Sequence, residues 1–494
     1  MKVIILSAGI GSRLRPLTDH LPKCLVKING KEILRYQVES FIENGISEIV
    51  LVTGYRGHMI KDFCRDGGFT QVKIIENTDY DTTNNMYSLN LAKDEVYEKD
   101  FLFCNGDVMY SGEIVRQMIA CGGADAIGVQ VGNYNDEAMK VVMDEIGTLN
   151  DISKKIDSNL ALGTSIDLYK ISAEGSVKLF ATIEELLKAN QNNWTEVALQ
   201  QLMHNRQIAF YPVDIKGNKW YEIDNLDDYF NAVKMFAPFD IFKKKKAFFD
   251  LDGTVYMGNN VLKGAVEFFK QLRENNVQYY FLSNNSSKVK TEYVERINNM
   301  GIFCEVENII LPTDALLQQL HDEQIVEIHL VGNAKLAAFL HSNGINTASD
   351  NPKYVIVAFD TEVTYDKLQK AAIFIQQGVP YMATNIDLVC PTDSGYIPDT
   401  GALYQVLQTT TGIAPKKVFG KPLPSMIEQY ISDVDINDVV IMGDRTYTDM
   451  QLARTINCDF ILTLTGETNV NDLINLDYNK CLVVRSIGDL VGNN

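Results

Sequence analysis

Three groups of residues in this 494-residue chain have the types and spacing needed for chemistry at phosphorus. The first is Asp250-Leu251-Asp252-Gly253-Thr254, which follows the apolar run Ala247-Phe248-Phe249. Side chains two positions apart on a strand share a face, and a chain turning at the strand's end can aim both carboxylates at one phosphate. One carboxylate can attack phosphorus while the other protonates the departing oxygen. The second group follows the apolar residues Val3 to Leu6, where a loop carries Ala8, Gly9 and Gly11, then Arg13 and Lys23. Small residues let backbone N–H groups approach phosphate oxygens closely. Two cations beside them neutralise the charge that builds when an α-phosphorus is attacked and pyrophosphate leaves. The third is Asp107, in Asn105-Gly106-Asp107 after the apolar run Phe101 to Cys104. An acidic side chain at the carboxyl end of a strand faces the crevice where open α/β sheets bind ligands. Mg2+ takes one or two carboxylates together with phosphate oxygens, so such a residue suits it.

Side chains of this kind need strand ends and the loops that follow them. Short apolar runs predict strands at 2–7, 48–53, 72–76, 100–104 and 125–131, then at 246–251, 278–283, 353–358, 437–442 and 459–463. Helical periodicity between them predicts helices at 31–44, 113–121, 264–275, 365–377 and 423–431, among others. Alternation of this sort argues for layered α/β domains with largely parallel sheets. Residues 238–246, which end in four consecutive lysines, mark the clearest boundary. They divide the chain into a domain at 1–238, a solvated linker at 239–246 and a domain at 247–494.

The pattern Gly9-x-Gly11-x-Arg13-Leu14-x-Pro16-x-Thr18-x-x-x-Pro22-Lys23 resembles the signature of the sugar-phosphate nucleotidylyltransferase superfamily, over about residues 1–235. The resemblance implies a Rossmann-like mixed sheet. It implies that Ala8, Gly9 and Gly11 bind nucleotide and that Arg13 and Lys23 hold the triphosphate, with Lys23 also near the acceptor phosphate. It makes Asp224, in Trp220-Tyr221-Glu222-Ile223-Asp224, the second carboxylate on Mg2+ beside Asp107. Residues 82–89 (Thr-Thr-Asn-Asn-Met-Tyr-Ser-Leu) resemble the cytidylyltransferases that activate phosphocholine and related small phosphates. That favours CTP, with Asn84, Asn85 and Ser88 near the nucleoside, and with Glu196 facing the acceptor. A cationic acceptor head would draw on Tyr80, Tyr87, Trp194, Trp220 or Tyr221. The alternative within the superfamily is a sugar 1-phosphate activated with UTP or dTTP.

The Asp250-to-Thr254 stretch resembles the first motif of the haloacid-dehalogenase superfamily, and the remaining motifs follow in order. They are Ser283-Asn284-Asn285, Gly420-Lys421-Pro422, and Gly443-Asp444 through Asp449. The resemblance implies Asp250 as nucleophile and Asp252 as general acid/base. Ser283 would bind the transferring phosphoryl group and Lys421 would offset charge. Mg2+ would sit on Asp250, Asp252 (through its main-chain carbonyl) and Asp444, with Asp449 supporting that shell. Residues 384–401 resemble the subfamily of p-nitrophenyl, nucleotide and glycerol phosphate phosphatases, whose Rossmann-like core carries an inserted α/β cap. The cap is expected at about 318–395, with Asn385 and Asp387 as substrate contacts.

The whole chain then reads as a bifunctional enzyme. A cytidylyltransferase would activate a small phosphorylated alcohol, and a phosphatase would act through an aspartyl-phosphate. The alternative is one active domain with a regulatory neighbour. A net charge of −19 disfavours a nucleic acid partner, whose backbone calls for a basic surface. No apolar run approaches the length of a membrane span and no secretory signal is evident. Eight cysteines without a C-x-x-C pair read as reduced core residues of a cytoplasmic protein. Phosphorylated small molecules are the expected partners, with self-association left open.

Overall fold

The computed structural model describes residues 1–132, 134, 138–392 and 395–492. Two compact units divide the chain: one holds Met1–Phe236 and Leu473–Leu476, the other Ala237–Asp472 and Asp477–Asn494.

The first unit is built on a nine-stranded sheet. Val72–Glu76, Glu48–Thr53, Lys2–Ser7 and Phe101–Asn105 run parallel in that order. Gly163–Ile171 follows, antiparallel to Phe101–Asn105 on one side and to Asp125–Val131 on the other. The sheet is therefore mixed, and not largely parallel as strand–helix alternation alone suggests. The first strand reads as a continuous apolar run because both faces are covered. Ile4 and Leu6 enter one apolar cluster with Phe103 and Leu199, while Val3 and Ile5 enter another with Val38 and Ile114. Register pairs Leu6 with Asn105, so the loops after Ser7 and after Asn105 leave the same edge of the sheet. A separate ribbon pairs Val108–Tyr110 with Trp220–Glu222, Val108 opposite Glu222, which brings residues 222–224 to Asp107.

The second unit has a six-stranded, wholly parallel sheet in the order Ile309–Ile310, Gln278–Leu282, Lys246–Asp250, Val439–Gly443, Asp459–Thr463, Cys481–Val484. Asp250 closes a strand whose neighbours on both sides point the same way. A four-stranded parallel sheet, Ile328–Val331, Tyr354–Val357, Tyr381–Ala383 and Lys417–Val418, lies in the stretch between the second and third motifs. Its last strand falls beyond the expected 318–395, and Leu316 of helix Pro312–Asp322 shares an apolar cluster with Ile328, Ile356 and Phe419. The layer is thus wider than its sequence pattern suggests.

Two further expectations are corrected. The run predicted as one helix at 423–431 is a 3-10 turn at Pro424–Met426 followed by the short helix Glu428–Ile431, with Ile427 between them in a non-helical conformation. The lysine run is not a free linker. Lys246 starts the strand that carries Asp250, is buried, and pairs with Asp433 at 2.5 Å, while Lys244 pairs with Asp459. Each ammonium is held by a carboxylate of the second unit, which makes partial burial tolerable. Among the described residues, no helix is long and apolar enough to cross a membrane.

Candidate active sites

In the first unit the loop after Lys2–Ser7 folds back so that Lys23 reaches the ribbon. Gly11 has φ +67, and a Cβ there would stand 2.9 Å from Lys23 Cβ, so the close approach needs glycine. Lys23 Nζ donates to Asp107 Oδ2 at 2.6 Å and to Asp224 Oδ1 at 2.8 Å. Arg13 pairs with the same Asp224 oxygen at 2.9 Å. Burial alone would lower the pKa of Lys23, but Asp107 and Asp224 outweigh it and hold the ammonium above its ordinary value. Burial opposes ionisation of Asp224 too, yet Lys23 and Arg13 draw its carboxyl below the usual range. Asp107, Glu222 and Asp224 each offer an oxygen within 4.8 Å of the others. Among the described residues, Asp107 Oδ1 is buried with no hydrogen-bond partner. An orphaned carboxylate oxygen in an all-oxygen set fits Mg2+.

Glu222 lies outside the carboxylates that the sequence motifs point to. It stands two residues before Asp224, the same spacing as Asp250 and Asp252, and the ribbon pairing puts it beside Asp107. Burial first, then Asp167, Asp107 and Asp224, push its carboxyl well up.

A cavity of about 350 Å³ is bounded by Gly9, Gly11, Arg13, Lys23, Asp107 and Asp224. A neighbouring cavity of about 290 Å³ is lined by Ala8, Asn84, Asn85, Ser88, Tyr80 and Trp194, and by the carboxylates Asp167, Glu196 and Glu222. The amides are only partly free. Asn84 caps helix Asn85–Leu91 through its Oδ1, and Asn85 Oδ1 accepts from Thr195 N at 2.8 Å. Ser88 is buried and its Oγ accepts from Asn77 Nδ2 at 3.1 Å. Glu196 is also buried and accepts from Tyr169 Oη at 2.9 Å, while the same hydroxyl lies 3.1 Å from Asp167 Oδ1. Burial raises the pKa of both acids. Asp167 escaped sequence reasoning because it sits where Gly163–Ile171 breaks register, at φ +57. Trp220 and Tyr221 border a third cavity, of about 350 Å³. Tyr87 directs its hydroxyl to Asp79 at 3.3 Å.

In the second unit Lys421 is buried, pairs with Asp250, and reaches Asp449 at 2.6 Å. Burial would lower its pKa, but the two carboxylates raise it above the ordinary lysine value. Asp250, Asp444 and Asp449 bring oxygens within 4.8 Å of one another. Burial raises the carboxyls of Asp444 and Asp449, and Asp250 adds to both shifts. Asp444 Oδ2 accepts from Glu467 N at 2.7 Å, while its buried Oδ1 has no hydrogen-bond partner among the described residues. This donor set fits Mg2+ as well.

Asp252 and Asp449 take different places around that group. The side chain of Asp252, expected to serve the metal through its main-chain carbonyl alone, lies outside the three-carboxylate group and is exposed. The strand ends at Asp250 and the chain turns, with Asp252 bridging to Tyr256. Asp449, expected as a support, pairs with Lys421 at 2.6 Å and also stands within the group. Ser283 follows Leu282, the register partner of Asp250, and its Oγ lies 3.2 Å from Tyr293 Oη. Asn385 and Asp387 are buried and meet Asn284, through its main-chain oxygen at 2.8 Å and its amide at 3.1 Å. Asp393 and Ser394 of the 384–401 stretch lie outside the described residues.

Comparisons with known proteins give the family of each half. A nucleotidyl transferase family model matches residues 2–140. A haloacid dehalogenase-like hydrolase model matches 247–346, and a HAD-hydrolase-like model matches 418–490. An acid sugar phosphatase of Staphylococcus saprophyticus is 30% identical over 236 residues, covering 47% of this chain and 91% of that protein. A 5'-nucleotidase of Bacillus subtilis is 28% identical over 222 residues, covering 44% and 86%. The crystal structure of a 4-nitrophenylphosphatase from Thermotoga maritima aligns at TM-score 0.49 with 30% identity, covering 51% of this chain and 97% of that one. The chain belongs to the haloacid dehalogenase-like hydrolases through its C-terminal half, as a phosphatase domain, and carries a nucleotidyl transferase domain ahead of it.

Proposed function

We propose that the first unit transfers CMP from CTP to a small phosphorylated alcohol, and that the second hydrolyses a small phosphate monoester. The observation that carries the first half is the Lys23–Asp107–Asp224 cluster opening beside a cavity bordered by the 84–88 segment. The acceptor's phosphate oxygen attacks the α-phosphorus directly, so no protein nucleophile is required. Lys23 and Arg13 take up charge on the phosphates, and Asp107, Glu222 and Asp224 would hold Mg2+, which when bound would neutralise further charge there.

In the second unit Asp250 attacks phosphorus, Asp252 protonates the leaving oxygen, and Ser283 binds the transferring group; water, deprotonated by Asp252, then attacks the aspartyl-phosphate, releasing inorganic phosphate and regenerating Asp250. Lys421 lies against Asp250 and offsets the negative charge gathered there. Asp250, Asp444, Asp449 and the Asp252 carbonyl would hold the second Mg2+. The names of the relatives, acid sugar phosphatase and 5'-nucleotidase, set phosphorylated sugars and nucleotides beside small alcohol phosphates as substrates to try. Cys24, Cys64, Cys104, Cys304, Cys458 and Cys481 are buried thiols, which supports a reducing, cytoplasmic setting.

Pyrophosphate release measured with four nucleoside triphosphates against a panel of acceptors tests the first half. Release with CTP and small alcohol phosphates is expected. Release with a hexose 1-phosphate and UTP or dTTP, and none with small alcohol phosphates, would overturn it.

A further inference from the structure

We infer that Asn284 is a positioning residue for the phosphatase reaction, gripping the main chain of Lys421 and the loop of Asp387 so that the lysine stays on Asp250. The inference rests on the reading of Asp250 and Lys421 given above. Asn284 is buried, two residues beyond the strand Gln278–Leu282, whose Leu282 pairs with Asp250. Its Oδ1 accepts from Lys421 N at 2.7 Å, and its Nδ2 donates to Lys421 O at 3.1 Å. The same Nδ2 donates to Asp387 Oδ2 at 3.1 Å, and the Asn284 carbonyl accepts from Asn385 Nδ2 at 2.8 Å. One side chain thus engages both main-chain polar groups of Lys421 and a carboxylate from a third segment.

The arrangement demands an amide. The Lys421 N–H requires an acceptor, while Lys421 O and Asp387 require a donor with two hydrogens, and only Asn or Gln offers both. Room is scarce as well: a Cβ on Gly420, at φ +82, would stand 2.7 Å from Asn284 Oδ1. Lysine has a long flexible stem, so its ammonium is well placed only if its root is fixed. The two bonds from Asn284 fix that root, while Asp250 and Asp449 hold the other end. Asp387 also faces Arg445 at 3.7 Å, next to Asp444 in sequence, so the loop has a second, looser hold.

The test uses the full chain with p-nitrophenyl phosphate as probe. Asn284→Asp is isosteric, keeps the acceptor for Lys421 N, and loses both donated bonds. Asn284→Ala loses all three side-chain bonds. Each should lower kcat by roughly 10- to 100-fold with KM nearly unchanged. Pyrophosphate release by the same chains and their melting temperatures report folding. In Asn284→Asp/Asp387→Asn the donor and acceptor are exchanged, so the double variant should be less impaired than the product of the two single losses. A kcat within about twofold of the parent for Asn284→Ala, or single losses that simply multiply, would overturn the inference. Asp250→Asn serves as reference. Turnover surviving in it removes the reading beneath the inference, whereas a silent Asp250→Asn beside an unaffected Asn284→Ala removes the inference alone.

Discussion

Lys23 and Lys421 occupy equivalent electrostatic positions in unrelated sites. Each is largely withdrawn from water and each meets two carboxylates, Asp107 and Asp224 in one case, Asp250 and Asp449 in the other. Removing a buried cation leaves its acidic partners mutually repelling. Lys23→Met should therefore cut nucleotidyl transfer at least about 100-fold, since it also deletes a charge aimed at the phosphates. Lys23→Arg should rescue little, because a planar fork does not replace a point charge between two single oxygens. Pyrophosphate release with CTP measures both. In the phosphatase half, Gly466 limits what the site tolerates: a Cβ there would lie 1.9 Å from Asp444 Oδ2. Gly466→Ala should displace Asp444 and abolish p-nitrophenyl phosphate turnover while pyrophosphate release continues. Unchanged phosphatase turnover in that variant would mean that Asp444 need not sit where it does.

At the scale of elements, each site depends on a strand end held by packing behind it. Phe249 immediately precedes Asp250, is fully buried, and meets Phe268, Phe269 and Phe281. Phe249→Ala should cost about 3–5 kcal/mol in the stability of the second unit. Denaturant unfolding followed through phosphatase activity measures this, and loss of transferase activity at the same denaturant concentration would count against it. Strand ends of this kind were legible in the sequence because apolar runs of three or four residues stop at a polar residue. Lys2–Ser7, Glu48–Thr53 and Asp459–Thr463 match their predicted spans. The unread parts share a physical cause: they depend on partners distant in sequence. Glu222 joins Asp107 only through a three-residue ribbon, and Asp167 enters its cavity only through a break in strand register. The buried place of Lys246 depends on Asp433, nearly two hundred residues away. The inserted sheet closes with a two-residue strand, Lys417–Val418, too short to carry any periodicity.

For the molecule as a whole, the question is whether the two chemistries are separable. Each unit contains its own acidic cluster and its own lysine, and no residue named in one site is named in the other. Asp107→Ala should abolish pyrophosphate release and leave phosphatase turnover within about twofold, because substitutions without shared partners act independently. Asp250→Asn should do the reverse. Removing divalent cations with EDTA should silence both activities, and Mg2+ should restore both, since each cluster holds carboxylate oxygens that burial keeps from water. The point substitutions and the metal removal answer different questions. If either substitution abolished both activities, one unit would be acting on the other, and the bifunctional reading would give way to a regulatory one. If EDTA left one activity intact, the carboxylates of that cluster would serve without a metal, and their lysine would carry the charge alone.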